Sequence, residues 1–396
     1  MINGNKLLQL NKTKKITVIN YYPLEFMGGG EFISLTIFNY LSSFFEIRYI
    51  SSLNFNKIER VNSLFIENSI KFKYERKIFI IRKMKVIARP HPYISDILPS
   101  DIILEFLDRP LEKKFLKALY NLNLPTIFLF HGITFEKFNF KHFVISSYSV
   151  LIKFILFSQK NLLKKSNFFY QILNKKQFDF LYKLGISKDH IFYIPNGITF
   201  SKYYVKKNNI FRIIWIGRIE KIKGIYFLIK IIRFFNKHYN NLDDLEFLII
   251  GTGSKYDYLK TKLKKEKNVK YLGFVKEEEK INLLAESELA LMTSIIEPYS
   301  LVVLEYLASG LYVISTPISG PSEIISKCES FGIISNFKPK FFINEILNNY
   351  KDWKKDPETY YIKKINRRKK AEENFNIDKM NLNYKNMIDT ILQGWR

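Results

Sequence analysis

The chain alternates short runs of β-branched and aromatic residues with longer segments of helical periodicity. In the first half these runs predict strands over residues 16–21, 47–51, 101–107, 126–130 and 168–173. The second half repeats the pattern, with predicted strands over residues 211–216, 246–250, 269–272, 289–292 and 312–315. Nearly continuous apolar runs are typical of strands in parallel sheets that helices cover on both faces. The pattern therefore predicts an α/β fold with two sheets.

Between the two halves, the residues from Pro195 to Gly197 carry a proline and an Asn-Gly pair that mark a turn. The 396 residues also exceed the size at which one hydrophobic core usually stops growing. We therefore expect two Rossmann-like domains, over residues 1–195 and 196–374, with the C-terminal segment 375–396 added to the first. Two such sheets facing each other enclose a cleft, because open α/β sheets bind ligands beyond the carboxyl ends of their strands.

Basic side chains outnumber acidic ones by 63 to 37, which gives a net charge of +26. A field of this sign favours polyanions such as nucleic acid, an anionic membrane surface or phosphorylated substrates. A general bias toward lysine would raise the charge equally without selecting a partner, and charge alone does not separate these interpretations. Because no RNA-binding signature is present, nucleic acid is not an expected partner.

Other features of the composition concern the compartment and cofactors. The single cysteine, Cys328, excludes an intramolecular disulfide and suits a reducing cytosol. Residues 1–15 lack the apolar core of a secretory signal, and the longest apolar stretch, 143–157, is short and interrupted for a transmembrane helix. The five histidines form no metal-ligand pattern. We therefore expect a cytoplasmic protein, soluble or on the cytoplasmic face of a membrane, that needs no metal or other cofactor.

Three glycine-containing loops each follow a predicted strand and precede a helix. Glycine lets the backbone approach a ligand closely, and a helix N-terminus favours an anion. An arginine and a lysine in the second loop suit a diphosphate. Ordinary surface turns have the same composition, so none of these loops identifies a ligand by itself. The residues concerned are Gly28, Gly29 and Gly30 in the first loop, Gly217, Arg218 and Lys223 in the second, and Gly251 and Gly253 in the third.

A fourth motif places two glutamates around a helix start. Glu297 follows the predicted strand 289–292, Pro298 suits the first turn of a helix, and Gly310 suits its end. Glu305 therefore lies about two turns into the helix. The two carboxylates do not share one helix face and would contact different parts of a ligand lying across the helix N-terminus. Nothing places a second acid opposite the first, as the chemistry of a glycoside hydrolase requires.

In sequence order, these motifs resemble those of the retaining glycosyltransferases of family 4. The resemblance is continuous over about residues 191–325 and is weaker at the first glycine loop and at His131-Gly132. It implies the GT-B fold, in which two Rossmann-like domains face a central cleft and a C-terminal helix crosses back to the N-terminal domain. The motifs that carry it are Pro195-Asn196-Gly197-Ile198, Gly217-Arg218 with Lys223-Gly224, and Glu297 with Glu305, separated by seven residues.

The resemblance also implies an activity, the metal-independent transfer of a hexose from a UDP- or GDP-sugar to a hydroxyl acceptor with retention of configuration. We expect the acceptor to be a glycan or a lipid-linked glycan, as in glycoconjugate or protein N-glycan assembly. The implied catalytic residues are Glu297 at the donor sugar, His131 near the reacting sugar, and Arg218 and Lys223 at the diphosphate. The implied donor-binding residues are Gly28, Gly29, Gly30, Gly217, Gly251, Gly253, Tyr299, Ser300, Leu301 and, at the ribose, Glu305.

At three positions the chain departs from the family pattern. Members usually carry glycine where Ser300 stands, and small residues where Tyr306 and Ser319 stand. Ser300 would add a side chain beside the donor, so the identity of the donor stays open. None of the departures removes a charged group that the transfer needs.

The segment around residues 150–165 carries Lys153, Lys160 and Lys164 at helical spacing beside a broad apolar surface. A basic amphipathic helix of this kind can lie on an anionic membrane, which would suit a lipid-linked acceptor. The alternative is a helix that packs its apolar side on the first sheet and leaves its lysines in water. For the whole chain, the competing interpretations are a polyanion-binding protein and a nucleotide-sugar epimerase or phosphorylase on the same scaffold.

Overall fold

The computed structural model of the protein describes most of the chain. The described residues are 14–20, 29–51, 78–81, 84–88, 98–106, 113–132, 153–239 and 241–395. Within them the chain forms two α/β layers, one in each half, and these layers provide the walls of the candidate site.

Eight of the described strands form the first sheet. They are β1 (Lys15–Asn20), β2 (Glu46–Ser51), β3 (Ile78–Ile81), β4 (Met84–Ala88), β5 (Ile102–Phe106), β6 (Thr126–Leu129), β7 (Phe168–Ile172) and β8 (Ile191–Tyr193). Their spatial order is β3-β4-β2-β1-β5-β6-β7-β8. Every pair is parallel except β3 with β4, which is antiparallel at the edge.

Six parallel strands form the second sheet. They are β9 (Phe211–Ile216), β10 (Leu245–Ile250), β11 (Val269–Gly273), β12 (Leu289–Met292), β13 (Tyr312–Ser315) and β14 (Gly332–Ile334). Their spatial order is β11-β10-β9-β12-β13-β14. The chain therefore moves outward from β9 to β11, then returns to the other side of β9 with β12.

Helices cover both faces of each sheet. The described α-helices are α1 (Gly29–Leu41), α2 (Lys113–Asn121), α3 (Lys160–Leu163), α4 (Lys175–Lys183), α5 (Ile225–His238), α6 (Tyr256–Leu263), α7 (Glu277–Ala285), α8 (Leu301–Ala308), α9 (Ser319–Ile325), α10 (Pro339–Lys355), α11 (Pro357–Phe375) and α12 (Ile377–Gly394). Residues 153–158 are also helical. Two buried clusters of apolar side chains pack on each sheet, one on each face.

The last helix, α12, returns to the first domain. Its Tyr384 and Ile388 are fully buried in the same apolar cluster as Ile16 of β1 and Ile37 of α1. The chain crosses between the domains where Ile198 pairs with Asn376 in an isolated parallel bridge. The expected C-terminal crossing is therefore confirmed.

Both sheets contain a point at which the strand order reverses, a topological switch point. In the first sheet it lies between β1 and β5, and in the second between β9 and β12. Loops that leave adjacent strands in opposite directions open a crevice there, where ligands of open α/β sheets bind.

All ten predicted strands are present, with ends that shift by one residue at most. The edge strands β3, β8 and β14, and β4 next to the edge, were not predicted, because they are short or lie in basic sequence. The predicted α/β architecture with two sheets is confirmed, whereas the domain boundary near residue 195, between β8 and β9, stays a prediction. No helix within the described part of the chain is long and apolar enough to span a membrane.

Candidate active site

A cavity of about 200 Å³ lies at the switch point of the second sheet and faces the first domain. The first domain and the connecting turn contribute His131, which follows β6, and Asn196. The loops after β9 and β12 and the start of α8 form the opposite wall. That wall consists of Trp215, Ile216, Gly217, Lys223, Met292, Ser294, Glu297, Pro298, Tyr299, Ser300, Leu301 and Val302. Both halves of the chain therefore contribute to one site.

An ion pair lies in this wall, between Lys223 Nζ and Glu297 Oε2. Their side chains are 23% and 16% exposed, so the pair is sheltered yet reachable from the cavity. The two residues come from different loops, after β9 and after β12, and are 74 positions apart in the sequence. The structure thus joins the second and fourth motifs into one charged site.

Lys223 is held by the contact of its turn with the loop after β12. Thr293 Oγ1 donates a hydrogen bond to the Lys223 carbonyl at 2.9 Å and accepts one from Trp215 Nε1 at 2.9 Å. Gly224 has a left-handed φ of 74°, and a Cβ at this position would overlap the Thr293 carbonyl oxygen. Any larger residue would separate the two loops and displace Lys223.

Glu297 is fixed by the start of α9. The Gly320 amide donates to the Glu297 carbonyl at 3.2 Å. A Cβ on Gly320 would lie 2.6 Å from the Tyr299 Cα, so glycine is required for this close approach. The loop after β12 is therefore clamped on one side by the Lys223 turn and on the other by α9.

Ser300 is the N-cap of α8. Its side chain is buried and its Oγ accepts a hydrogen bond from the Val303 amide at 3.3 Å. A serine side chain satisfies a helix amide that a glycine would leave to solvent or ligand. Ser300 thus lines the cavity and also caps the helix.

Tyr306 is the second position at which the chain departs from the family pattern. It is fully buried, and its hydroxyl accepts a hydrogen bond from the Ile216 amide at 2.8 Å.

Glu305 lies further along α8 and is outside the residues that line the cavity. Its Oε1 is 2.8 Å from Lys280 Nζ, and Lys280 is also 2.8 Å from Glu277 Oε2. Burial raises the pKa of Glu305, and Lys280 opposes this shift. For Lys280, burial lowers the pKa, but the two carboxylates outweigh burial and the pKa is raised. Lys280 is therefore a cation whose charge supports an ionised Glu305.

Arg218 is not brought into the cavity. Its side chain is 68% exposed, and its Nη1 lies 3.2 Å from Glu220 Oε2. The sequence placed Arg218 and Lys223 together as a diphosphate-binding pair, whereas here only Lys223 faces the cavity. Its ion-pair partner is a carboxylate two residues along the same turn.

Of the other glycines predicted to bind the donor, one lines the cavity and two lie where strand ends pack closely. Gly217 lines the cavity. A Cβ on Gly251 would overlap the Gly217 carbonyl oxygen, and one on Gly253 would lie 2.7 Å from the Ile219 carbonyl oxygen. Close packing of the strand ends therefore requires these two glycines. In the first loop, Gly29 and Gly30 start α1 and Gly28 lies outside the described residues.

His131 faces a partner from the last helix. Its Nε2 lies 3.0 Å from the hydroxyl of Tyr384, and its ring is 5.3 Å from that of Phe106. Burial lowers the pKa of His131 to about 4, against a smaller opposing effect of the Gln171 side chain. The imidazole is therefore neutral at neutral pH.

Two polar residues at this site were missed as site residues. Asn196 is 5% exposed, lines the cavity, and its Oδ1 has no hydrogen bond within the described structure. Its only signal was the Pro-Asn-Gly motif, which also marks an ordinary turn. Tyr384 had no signal, because an aromatic residue on an amphipathic helix is indistinguishable from a core residue in sequence.

The predicted membrane-facing segment has two sides. Leu156 and Leu163 are buried in the first domain, while Phe154 and Phe157 are 70% and 55% exposed. Lys160 Nζ lies 4.9 Å from the centre of the Phe157 ring. Lys153, Lys160 and Lys164 all belong to this stretch, and the residues just before it, 133–152, lie outside the described part. The membrane role of these lysines stays a prediction.

No group of three or more His, Cys, Asp or Glu side chains that could hold a metal ion occurs in the described ranges. The expected independence of a metal concerns the reaction and stays a prediction.

Two facing α/β layers with a cavity at a switch point define the GT-B class of fold, and solved structures agree. Sucrose-phosphate synthase from Thermosynechococcus elongatus matches with a TM-score of 0.69 at 12% identity, over 96% of this chain and 100% of that one. The Anabaena protein HepE in complex with UDP and glucose matches with a TM-score of 0.67 at 16% identity, over 95% of this chain and 100% of that one. WaaG, a glycosyltransferase involved in lipopolysaccharide biosynthesis, matches with a TM-score of 0.62 at 13% identity, over 94% and 98%. The GT-B fold is therefore confirmed.

The second half of the chain matches a known family. Residues 210–352 match the family described as Glycosyl transferases group 1. An uncharacterised glycosyltransferase of Methanocaldococcus jannaschii is 30% identical over 116 residues, 28% of this chain and 29% of the relative. The gpi3 component of phosphatidylinositol N-acetylglucosaminyltransferase from Schizosaccharomyces pombe is 25% identical over 177 residues, 42% of this chain and 38% of the relative. The chain thus matches less than half the length of these relatives. The predicted resemblance to glycosyltransferases is confirmed, and assignment to family 4 stays a prediction.

Proposed function

We propose that the protein transfers a hexose from a nucleotide-diphosphate sugar to a hydroxyl acceptor, with retention of configuration and without a metal. The observation that carries this proposal is the Lys223–Glu297 pair in a cavity at the switch point, opposite His131 of the other domain. A lysine can bind a diphosphate while a neighbouring carboxylate accepts hydrogen bonds from sugar hydroxyls. The family match over residues 210–352 supports the same activity.

In the proposed reaction, the donor diphosphate binds Lys223 and replaces Glu297 as the partner of its ammonium group. Negative charge builds on the diphosphate as the glycosidic bond breaks, and a fixed cation stabilises that charge in a site with little water. The start of α8, at Tyr299 to Leu301, adds backbone amides and the positive end of a helix dipole. Glu297, freed from its partner, accepts hydrogen bonds from the donor sugar.

His131 is neutral at the pH of the cell because its pKa is about 4. The sugar develops positive character as the leaving group departs, and a charged imidazole there would oppose this. A neutral ring places a polar group near the sugar without that repulsion. The acceptor hydroxyl approaches on the side of the leaving group, and its proton passes to the departing phosphate.

The activity test uses purified protein with UDP- and GDP-sugars, and measures release of the nucleotide and the sugar product. We expect one donor to be consumed, with Glu297→Gln lowering kcat by at least about a hundredfold. Glu278→Gln is the matched control, because Glu278 is an exposed carboxylate in the first turn of α7. The proposal fails if neither UDP nor GDP stabilises the protein against heat, or if both variants behave alike. An epimerised donor as the only product would indicate an epimerase instead.

For the acceptor we propose a lipid-linked glycan on the cytoplasmic face of a membrane. Phe154 and Phe157 are largely exposed beside Lys160, which is the chemistry of a membrane-surface segment. The name of one similar protein includes the lipid phosphatidylinositol, and another is described as involved in lipopolysaccharide biosynthesis.

Co-sedimentation with vesicles tests whether this segment binds a membrane surface. We expect binding to vesicles that contain anionic phosphatidylglycerol and little binding to pure phosphatidylcholine. Replacement of Lys153, Lys160 and Lys164 by Glu should abolish it, and Phe154→Ser with Phe157→Ser should weaken it. Phe274→Ser is the control, because Phe274 is 80% exposed in the other domain. Unchanged binding by the lysine variant would contradict the proposed surface.

A further inference from the structure

Tyr384 connects the C-terminal helix to the cavity. It belongs to α12, lies 253 residues after His131, and its ring is fully buried. Its hydroxyl is 3.0 Å from His131 Nε2, on the ring whose other nitrogen, Nδ1, is buried without a hydrogen bond. The Gln171 side chain also acts on this ring and raises its pKa, and within the described residues the partner that holds Nε2 is the Tyr384 hydroxyl.

The position of α12 is itself fixed at the turn between the domains. The Ile198 amide donates to the Phe375 carbonyl at 2.9 Å, and the Ile377 amide donates to the Ile198 carbonyl at 3.1 Å. A Cβ on Gly197 would lie 2.8 Å from the Ile377 Cα, so this close crossing requires glycine. Asn196, the neighbouring residue, lines the cavity. The crossing therefore anchors α12 two turns before Tyr384 and next to the site.

We propose that Tyr384 is a positioning residue that orients His131 toward the substrate of the transfer reaction, an inference that rests on the proposed function. Any buried tyrosine hydroxyl needs a hydrogen-bond partner, and for a residue that only fills the core a backbone carbonyl serves, as it does for Tyr170. The Tyr384 hydroxyl instead meets a cavity-lining imidazole, and a buried polar contact of this kind is costly to leave unmade. Through this contact the last helix of the chain becomes part of the site in the first domain.

The kinetic test compares Tyr384→Phe with Tyr170→Phe. Tyr170 is equally buried in the first domain, and its hydroxyl donates to the Leu163 carbonyl at 2.5 Å, away from the cavity. We expect Tyr384→Phe to lower kcat about tenfold while the KM for the donor changes less than twofold, as the loss of one orienting hydrogen bond predicts. Tyr170→Phe should leave both constants unchanged, and both variants should fold.

A double-mutant cycle separates positioning from a general effect on the fold. In a His131→Ala background, the additional Tyr384→Phe substitution should lower kcat no further, because the group that it positions is gone. Equal losses of kcat in both backgrounds, or an unchanged kcat with only a lower Tm, would overturn the proposal.

A spectroscopic readout keeps this test independent of the activity. Long-range ¹H–¹⁵N spectra of ¹⁵N-histidine-labelled protein report the protonation and environment of each ring, and His131→Ala assigns its signal among the five histidines. Tyr384→Phe should shift the His131 nitrogen signals, and Tyr170→Phe should not. If the protein proves inactive on every nucleotide sugar, the proposed function fails while this shift still tests the contact. An unchanged His131 signal would overturn the inference whatever the activity.

Discussion

Two lysine–glutamate ion pairs in the second domain have the same chemistry but differ in their access to solvent and ligands. Lys223 and Glu297 face the cavity, with side chains 23% and 16% exposed. Lys364 and Glu288 lie under the second sheet, with side chains 1% and 2% exposed and a Nζ–Oε2 distance of 3.0 Å. The first pair can exchange its partner for a ligand, whereas no ligand can reach the second.

The contacts of the buried lysine explain its different role. Lys364 Nζ also donates to the Ser287 carbonyl at 2.7 Å and to the Lys206 carbonyl at 3.3 Å, so its protons have protein acceptors. Burial raises the pKa of Glu288 to about 7, with Lys364 opposing the shift. This pair connects α11 to Glu288, the residue just before β12, at a high desolvation cost. Both pairs consist of a lysine and a glutamate, so the difference between a candidate binding site and a structural ion pair lies in whether a ligand can reach it.

The sharpest test of the comparison is Lys223→Met. Removing the only cation among the described residues lining the cavity should lower kcat/KM about a thousandfold, because charge on the leaving group loses its stabilisation. The free energy of unfolding should change by less than about 1 kcal/mol, since the pair is partly solvated. Steady-state kinetics and urea unfolding measure the two effects. Lys221→Met, an exposed lysine on the same turn, is the control. Losses of activity in both variants would contradict a specific role for Lys223.

The converse variant is Lys364→Met. It leaves Glu288 buried without its cation, so we expect the free energy of unfolding to fall by about 3–5 kcal/mol. The folded fraction should retain nearly normal kcat. Replacing both residues by Met should recover much of the lost stability, because neither member of the pair is then buried without the other. Urea unfolding and kinetics at low temperature measure this. A large loss of kcat in fully folded Lys364→Met protein would remove the distinction between the two pairs.

Much of this arrangement could be predicted from the sequence. Several central strands are continuous apolar runs, such as residues 289–292, and these can be recognised in the sequence because burial on both faces leaves no polar positions. Lys223 and Glu297 could be predicted because charged residues at strand ends stand out against such runs. The ion pair between them could not be predicted, since it depends on how two loops 74 residues apart meet.

The rest depended on contacts that leave no local pattern. Arg218 looks equivalent to Lys223 in sequence, but its side chain lies exposed beside Glu220 and outside the cavity. The contact of Tyr384 with His131 spans 253 residues, and the helix that carries Tyr384 shows only an apolar face in its sequence. Sequence reasoning therefore named the two charged residues that line the cavity, Lys223 and Glu297, and missed the buried polar residues Asn196 and Tyr384.

His131 adds a titratable group whose burial is not offset by an ion pair. Its pKa is about 4 in the folded protein and 6.5 in the unfolded chain. Between these values the unfolded state binds the proton and the folded state does not, so stability falls as the pH falls. At about 1.4 kcal/mol per unit of pKa, the loss between pH 7 and pH 4 is at most about 3 kcal/mol.

Urea unfolding at pH 7, 5.5 and 4.5 measures this loss, as the difference between the wild type and His131→Gln. His238→Gln is the control, because His238 is exposed on α5. The wild type should lose more stability than His131→Gln toward low pH, and His238→Gln should follow the wild type. Parallel curves for all three proteins would show that His131 takes up its proton without unfolding.

Another lysine–glutamate pair, Lys280 with Glu305, gives the prediction with the smallest expected effect. Its side chains are 16% and 14% exposed, near the values of the cavity pair, yet Lys280 is shared with Glu277 in the manner of a structural brace. If Glu305 binds the ribose, Lys280→Met should raise the Kd for the nucleoside diphosphate about tenfold. The pKa of Glu305 is already raised by burial and would rise further without Lys280, so affinity should fall as the pH is lowered.

Calorimetry with the ribonucleotide and with its 2′- and 3′-deoxy forms measures this effect, with Lys262→Met, an exposed lysine on α6, as the control. The deoxynucleotide that binds the wild type more weakly should lose this disadvantage in Lys280→Met, because the hydroxyl no longer meets an ionised acceptor. If Lys280→Met weakens the binding of all three nucleotides equally, the Lys280–Glu305 pair has a structural role like that of Lys364 and Glu288. The exposure of an ion pair would then be a poor guide to function, and direct access from the cavity, which Lys223 and Glu297 have and Glu305 lacks, would be the property that matters.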